Sequence, residues 1–187
     1  MIICITGLPG SGKSTIAVLL KQQLELKNHV VRHYTSDWMR LKLFPELAED
    51  STQHGRDFTS DELERSYNGL YMLFGELLDA DPTLVILTDG TYRKESQRNI
   101  LREIARRHNV PFILIKAYVT EEVTLARLNE RLASNEGSGP ESYLSAKAVY
   151  EEPSDALLLE NTGGKKAMQE KISTLIQTIL QQSAGAA

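Results

Sequence analysis

Cysteine is almost absent from this chain: Cys4 is the only one among 187 residues, which excludes an internal disulfide. Because Cys4 lies in an apolar stretch, we expect a buried structural thiol rather than a reactive one. Long apolar runs are also missing, so no segment has the length to span a bilayer. The apolar start is too short for a signal peptide and lacks preceding basic residues. These absences predict a protein of a reducing, cytoplasmic setting with no membrane partner.

A strong net charge is missing as well. The 21 basic and 25 acidic side chains give a formal net charge of −4, which provides no overall attraction to nucleic acid but leaves room for a local basic patch. The four histidines have no metal-ligand spacing, and the chain contains no internal repeat, low-complexity block or linker. We therefore predict one domain over residues 1–182, followed by a disordered tail at 183–187.

A glycine-rich stretch at residues 7–15 is the most informative feature of the sequence. It fits the G-x-x-x-x-G-K-[ST] phosphate-binding loop, with an apolar strand before it and an apolar helical pattern after it. The glycines let backbone N–H groups point at phosphate oxygens, and the following helix presents its positive N-terminal end to the same anion. Lys13 would reach the outer phosphates, and the Ser14 hydroxyl would ligate Mg²⁺. The predicted nucleotide-binding residues of this loop are Gly7, Pro9, Gly10, Ser11, Gly12, Lys13, Ser14 and Thr15.

Apolar runs with strand character alternate with helical apolar patterns along the rest of the chain. This alternation predicts an α/β fold in which a five-stranded parallel sheet carries helices on both faces. With the phosphate-binding loop after the first strand, we expect the three-layer sandwich of P-loop NTPases. Residues 45–58 are expected to form a surface loop, and residues 135–140 a mobile loop. Strands are expected at residues 1–5, 30–34, 83–88, 112–118 and 156–159, and helices at 16–26, 36–44, from 59, 93–108, from 120, 141–150 and 165–182.

Two acidic residues follow predicted strands and should meet at the carboxyl edge of the sheet, where such folds bind ligands. Asp37 is the candidate general base, because phosphoryl transfer to a hydroxyl needs a group that orients the acceptor and takes its proton. Its alternative role is to cap a helix that begins at Ser36 or Asp37. Arg40, one helical turn later, would bind an anionic acceptor or lie in solvent. Asp89 would hold Mg²⁺ directly or through water, although Asp-Gly is also ordinary turn chemistry.

Arg127 and Arg131 lie four residues apart and should point from the same side of a predicted helix. With a mobile loop behind them, they predict a lid over about residues 120–140. Its arginines would stabilise charge on the transferring phosphate, and its closure would exclude water. The alternative is a surface face that forms salt bridges with Glu122 and Glu130.

The most basic segment of the chain covers residues 93–107. Arg98, Arg102 and Arg106 share one stripe of a predicted helix, which would meet RNA or DNA phosphates or form a solvated outer face. Arg93 and Arg98 lie nearest the end of the preceding strand. These two residues are therefore the candidate acceptor contacts in this segment.

Together these motifs resemble those of small P-loop kinases. Over residues 1–164 the chain is similar to the group that contains adenylylsulfate kinase, zeta-toxin-like kinases, seryl-tRNA kinase and polynucleotide 5′-kinase. Its Tyr150-Glu151-Glu152-Pro153 stretch resembles the Tyr-Glu-x-Pro of adenylylsulfate kinases. The resemblance implies that Asp37 is the base and that Arg127 and Arg131 are lid arginines.

The same resemblance implies an ATP- and Mg²⁺-dependent phosphotransferase that moves the γ-phosphate of ATP to a hydroxyl of a small-molecule or nucleotide-like acceptor. Adenylylsulfate is one candidate acceptor. Asn161 and Thr162 would flank the adenine, and the lack of an Asn-Lys-x-Asp guanine signature favours ATP over GTP. The end of an RNA or DNA strand, or a tRNA-borne group, is the less favoured acceptor. An ATP-hydrolysing switch or binding module is the alternative from another functional class.

Overall fold

A single parallel sheet organises the part of the chain that the structure describes, residues 1–45, 59–134, 139–162 and 164–185. The structure is a computed structural model. Its five described strands are β1 (Ile2–Thr6), β2 (Val31–Thr35), β3 (Val85–Asp89), β4 (Phe112–Tyr118) and β5 (Leu157–Glu160). They are ordered β2-β3-β1-β4-β5, and every neighbouring pair is parallel. This arrangement confirms the predicted fold class.

The strand register determines which side chains meet at the carboxyl edge of the sheet. Asp89 of β3 lies opposite Ile5 of β1 and opposite Thr35 of β2. The three strands therefore end almost level with one another. The segments that follow them begin side by side at one edge, which is where parallel sheets of this class bind ligands.

Helices cover both faces of the sheet. Residues alternate along β1, so that Ile3 and Ile5 enter one apolar cluster, and Ile2 and Cys4 enter the other. Cys4 is buried, as predicted, and burial raises the pKa of its thiol. None of the described helices has both the length and the apolar character needed to cross a membrane. The described helices are α1 (Lys13–Glu25), α2 (Ser36–Leu43), α3 (Ser60–Ala80), α4 (Glu95–Arg107), α5 (Glu121–Ala133), α6 (Pro140–Lys147) and α7 (Gly164–Gly185).

The sequence-based boundaries differ most from the structure in the last third of the chain. Helix α7 continues to Gly185, so residues 183–185 extend the helix instead of starting a tail. Ala184 has a high helix propensity, and no proline ends the helix before it. Helix α6 begins at Pro140, a residue suited to the first helical position, and ends at Lys147. The loops predicted at 45–58 and 135–140 lie mostly outside the described residues.

Candidate active site

The glycine-rich loop runs from the end of β1 into the first turn of α1. Gly7, with φ 149°, and Gly12, with φ 84°, adopt backbone conformations that residues with a side chain disfavour. There is also no space for a side chain. A Cβ at Gly7 would lie 2.3 Å from the Ala117 carbonyl oxygen, and one at Gly12 would lie 1.8 Å from the Asn161 side-chain nitrogen. The loop backbone therefore packs directly against the end of β4 and the segment after β5.

Lys13 folds back over this loop, where its Nζ donates a hydrogen bond to the Leu8 carbonyl oxygen at 3.0 Å. Burial lowers the pKa of Lys13 to about 8, while the carboxylates of Asp89 and Asp37 act in the opposite direction and Arg131 adds to the lowering. These three charged side chains are thus electrostatic neighbours of the Lys13 ammonium. An anionic phosphate beside Nζ would favour its charged form.

Asp89 and Ser14 form an oxygen-rich corner beside the loop. Asp89 is only 4% exposed, and the Ser14 hydroxyl donates to its Oδ2 at 2.9 Å. A hydroxyl and a carboxylate are ligand types that Mg²⁺ prefers, and this ion usually takes few protein ligands because phosphates and waters complete its shell. The described residues contain no group of three or more His, Cys, Asp or Glu side chains able to enclose a metal. The corner therefore fits a Mg²⁺ that is shared with a nucleotide.

His33 is a part of this site that the sequence analysis missed. Its Nε2 lies 2.6 Å from Asp89 Oδ1. His33 is on β2, two residues before Thr35, which pairs with Asp89 across the sheet. Side chains two residues apart in a strand share a face, so the contact follows once β2 and β3 are known to be neighbours. The sequence pattern carried no information about that neighbour relation.

The start of α2 shows whether Asp37 caps this helix, which was the alternative to its role as a general base. Thr35 is the N-cap, because its hydroxyl accepts a hydrogen bond from the Trp38 backbone N–H at 2.9 Å. The predicted cap at Ser36 or Asp37 is therefore wrong. The Asp37 side chain is 80% exposed, and its Oδ1 lies 3.0 Å from Nη1 of the nearly buried Arg40. Both side chains line the cleft in front of the loop.

Arg127 joins three segments of the site. Its guanidinium donates to the carbonyl oxygens of Gly10, at 3.3 Å, and Asn161, at 3.0 Å. The Asn161 amide donates in turn to the Ser11 carbonyl oxygen at 2.9 Å. Helix α5, the phosphate loop and the segment that contains Asn161 and Thr162 are thereby tied together.

Arg131 lies one turn further along α5, is exposed and lines the cleft. Within the described residues, no ion pair joins Arg127 or Arg131 to a carboxylate. The salt-bridged surface face, with Glu122 and Glu130 as partners, is therefore not what these residues form.

Arg98 does not lie at the cleft, where it was predicted to contact an acceptor. It is fully buried, and its guanidinium donates to the Glu95 carboxylate and to the Tyr92 and Glu151 carbonyl oxygens, each within 2.9 Å. The prediction that Arg98 contacts an acceptor is wrong, because these partners lie inside the protein and Arg98 is absent from the cleft lining.

The rest of the predicted basic stripe is also paired with carboxylates. Arg102 contacts Glu95 at 2.7 Å and Asp155 at 2.8 Å, and Arg106 contacts Glu103 at 2.8 Å. An arginine stripe neutralised along its length offers little attraction to a phosphate backbone. The basic-stripe argument for a nucleic-acid partner therefore loses its support.

Tyr150 and Glu151 form hydrogen bonds to the end of β1 and to the segment after β3. The Tyr150 hydroxyl lies 3.1 Å from the Thr6 hydroxyl, and the Glu151 N–H donates to the Arg93 carbonyl oxygen at 2.8 Å. The Glu151 carbonyl oxygen accepts from Arg98. These bonds fix the backbone at Arg93. Arg93 lines the cleft, and its role as an acceptor contact stays a prediction.

The cleft that connects these groups has a volume of about 800 Å³. The phosphate loop, including Pro9 and Thr15, forms one end. Helices α2 and α3 form one wall, and α5 and α6 form the other. The segment after β3 and the first turns of α4 close the cleft between them. Residues from six separate parts of the chain thus surround a space large enough for a nucleotide phosphate tail and a small second substrate.

A family model described as an AAA domain matches residues 2–153. The chain belongs to this family. The matched region contains the phosphate loop, β1 to β4 and both walls of the cleft. Together with the relatives below, the match confirms the resemblance to small P-loop kinases, with a nucleotide-binding P-loop, and supports a general kinase activity.

A curated relative and two solved structures are similar over most of their length. The probable adenylyl-sulfate kinase of Aeropyrum pernix is 27% identical over 163 residues, which cover 87% of this chain and 83% of that protein. The Mycobacterium tuberculosis APS kinase CysC, in complex with AMPPNP and APS, has a TM-score of 0.69 and 18% identity, covering 95% of this chain and 96% of its own. Chaetomium thermophilum Kti12, in complex with ADP-AlF3, has a TM-score of 0.71 and 19% identity, covering 95% and 98%. At these identities the two structures establish the shared fold.

Proposed function

We propose that the protein is an ATP- and Mg²⁺-dependent phosphotransferase that moves the γ-phosphate of ATP to a hydroxyl of a small-molecule acceptor. One observation supports this most strongly. An exposed carboxylate, Asp37, lines the same cleft as the phosphate-loop residue Lys13, and its charge acts on the Lys13 ammonium. Transfer to an alcohol needs a cation at the phosphate and a base facing it across a small gap.

The nucleotide end consists of backbone and short side chains. The N–H groups of the loop and the Lys13 ammonium would bind the β- and γ-phosphates. Ser14 and Asp89 would hold Mg²⁺, which when bound neutralises negative charge that develops on the phosphates. Asn161, whose amide already contacts the loop, would lie beside the adenine together with Thr162.

The acceptor end consists of longer, charged side chains. Asp37 would accept the proton of the acceptor hydroxyl while the hydroxyl oxygen forms a bond to the γ-phosphorus. At the same time the bond from that phosphorus to the β,γ-bridging oxygen would break, and ADP would leave. Arg40 orients the Asp37 carboxylate, and Arg93 would contact the acceptor. From α5, Arg131 in the cleft lining and Arg127 beside the phosphate loop would stabilise charge on the transferring phosphoryl group.

A small acceptor is favoured over a nucleic acid by the pairing of the α4 arginines with carboxylates. Adenylylsulfate is the first acceptor to test, because the 27% identical relative is named for that substrate. The similarity to Kti12 concerns the fold and adds no acceptor of its own.

An acceptor screen with γ-³²P-labelled ATP and Mg²⁺ tests the proposal. The panel contains adenylylsulfate, nucleosides, sugars, amino acids, 5′-hydroxyl RNA and tRNA, and Lys13→Met protein serves as the control for contaminating kinases. We expect label on one small hydroxyl compound with the wild-type protein and none with the variant. Label on RNA that falls steeply with salt would instead indicate a nucleic-acid acceptor. Release of phosphate from ATP with no labelled acceptor would contradict phosphotransfer and favour an ATP-hydrolysing switch.

A further inference from the structure

The Asp89 carboxylate has a different partner on each oxygen. Among the described side chains, Ser14 donates to Oδ2 at 2.9 Å, and His33 lies 2.6 Å from Oδ1 through its Nε2. Asp89 is 4% exposed and the His33 side chain 17%. A carboxylate that is this buried needs a donor at each oxygen, since a buried charge without partners is costly. Because an ionised carboxylate only accepts, His33 Nε2 carries the hydrogen of this bond.

The position of His33 is set by the sheet rather than by a loop. His33 and Asp89 are 56 residues apart in sequence, but β2 and β3 are paired, with Thr35 opposite Asp89. Strand backbones vary less in position than loops do, so the imidazole is held at a fixed distance from the carboxylate. Rotation of the Asp89 carboxylate about its Cβ–Cγ bond would break this short hydrogen bond.

We propose that His33 is a positioning residue: it holds Asp89 Oδ1, so that Oδ2 faces Ser14 and the metal ion of a bound nucleotide. The inference rests on the proposed function only in taking Ser14 and Asp89 as the pair that supports this metal. His33 is absent from the described residues that line the cleft, so we place it behind Asp89 and away from the bound phosphates. It acts through the orientation of Asp89. Removal of a residue that orients a metal ligand in this way typically weakens metal binding by about 10- to 100-fold.

Three substitutions separate the donor function of His33 from its bulk. His33→Leu removes the donor at a similar side-chain size, and His33→Gln keeps an N–H donor close to the position of Nε2. His33→Asn, whose amide is too short to reach Oδ1 from the same backbone position, is a second and more polar way to remove the donor. His29→Leu is the matched control, because His29 precedes the opposite end of β2.

Two binding measurements on the whole protein test the proposal without any acceptor. The Mn²⁺ affinity of the protein–ADP complex is measured by electron paramagnetic resonance of free Mn²⁺. The affinity for a fluorescent ADP analogue is measured in EDTA. We expect His33→Leu and His33→Asn to weaken Mn²⁺ binding by about 10-fold, with metal-free ADP binding within about twofold of wild type. His33→Gln should restore Mn²⁺ binding to within about threefold, and His29→Leu should change neither affinity.

The proposal would be overturned if His33→Leu and His33→Asn left the Mn²⁺ affinity unchanged, or if they weakened metal-free ADP binding as much as Mn²⁺ binding. It would also be overturned if His33→Gln failed to restore Mn²⁺ binding, or if the wild-type ADP complex bound no Mn²⁺. If the expected binding pattern appears but the acceptor screen finds no transfer, the assignment of His33 stands and only the phosphotransferase proposal fails.

Discussion

Two helices carry arginines four residues apart, and the structure uses the two sets differently. On α4, Arg98 and Arg102 both donate to the Glu95 carboxylate. On α5, Arg127 donates to backbone carbonyl oxygens, and Arg131 lines the cleft. Neither α5 arginine has a carboxylate partner among the described residues. The arginines have the same spacing on both helices, but the α4 face is neutralised by carboxylates and the α5 face keeps its positive charge.

The difference lies in the acidic neighbours. Hydrogen bonds from Arg106 and Arg107 on α4 lower the pKa of Glu103 to about 2, so this carboxylate stays charged and neutralises its partners. A guanidinium bonded to neutral carbonyls, as at Arg127, keeps its full charge for another anion. Arginine spacing on a helix thus indicates a shared face, and the nearest carboxylates determine whether that face can bind phosphate.

Within the comparison of the two helices, the largest expected effect is a loss of activity on α5. Arg131→Met removes a cleft-lining cation from α5 and should lower the rate of phosphoryl transfer by on the order of 10²-fold, because charge developing on the phosphoryl group loses a preorganised donor. The thermal unfolding midpoint should stay close to that of wild type, since Arg131 is exposed. Steady-state kinetics with the acceptor found in the screen measure the rate. A transfer rate within about twofold of wild type would contradict the role assigned to α5.

A smaller effect, on stability rather than rate, is expected on α4. Arg98→Met leaves the Tyr92 and Glu151 carbonyl oxygens without this buried donor, while the Glu95 carboxylate keeps its hydrogen bond from Arg102. The free energy of unfolding should fall by about 2–3 kcal/mol, the usual cost of breaking such a network. Urea titration followed by circular dichroism measures it. A loss under about 1 kcal/mol would contradict a stabilising role for the buried Arg98 network.

The smallest effect is expected at the outer end of α4. Arg106→Met removes an exposed arginine whose described carboxylate partner is Glu103 at 2.8 Å. Exposed ion pairs contribute little, so neither the unfolding midpoint nor the transfer rate should change measurably. This variant is also the matched charge-removal control for Arg131→Met. A clear loss of transfer in Arg106→Met would mean that the two helices are not functionally distinct.

The features that the sequence predicted correctly are local ones. The phosphate loop is contiguous, and its strand-loop-helix context is visible within twenty residues. The helix predicted from residue 59 begins with Thr59 as its N-cap, and hydrogen bonds join Thr59 and Glu62, three residues apart. Asp89 could be placed beside Ser14 because the ends of parallel strands converge at one edge. Each of these inferences needed only short spacings or a general rule of sheet geometry.

Two of the missed features, Arg98 and His33, depend on long-range neighbours. Arg98 was expected at the cleft, but one of its partners, Glu151, lies 53 residues away and draws the guanidinium into the interior. His33 contacts Asp89 only because β2 and β3 are neighbouring strands, which the sequence pattern did not indicate. The cap of α2 is a local miss of one or two residues, since Thr35, Ser36 and Asp37 are all good capping residues. The roles of Asp37, Arg40, Arg93 and the two α5 arginines in transfer remain predictions.

The most direct test of the central claim is the transfer rate of Asp37→Asn at saturating ATP and acceptor. Asparagine keeps the size of the side chain but cannot take a proton. We expect transfer to fall by about 10³-fold, as for loss of a general base, while ATP affinity stays within about threefold of wild type. A variant that transfers phosphate at a near wild-type rate would contradict the account of Asp37 as the base that faces the phosphate loop across the cleft.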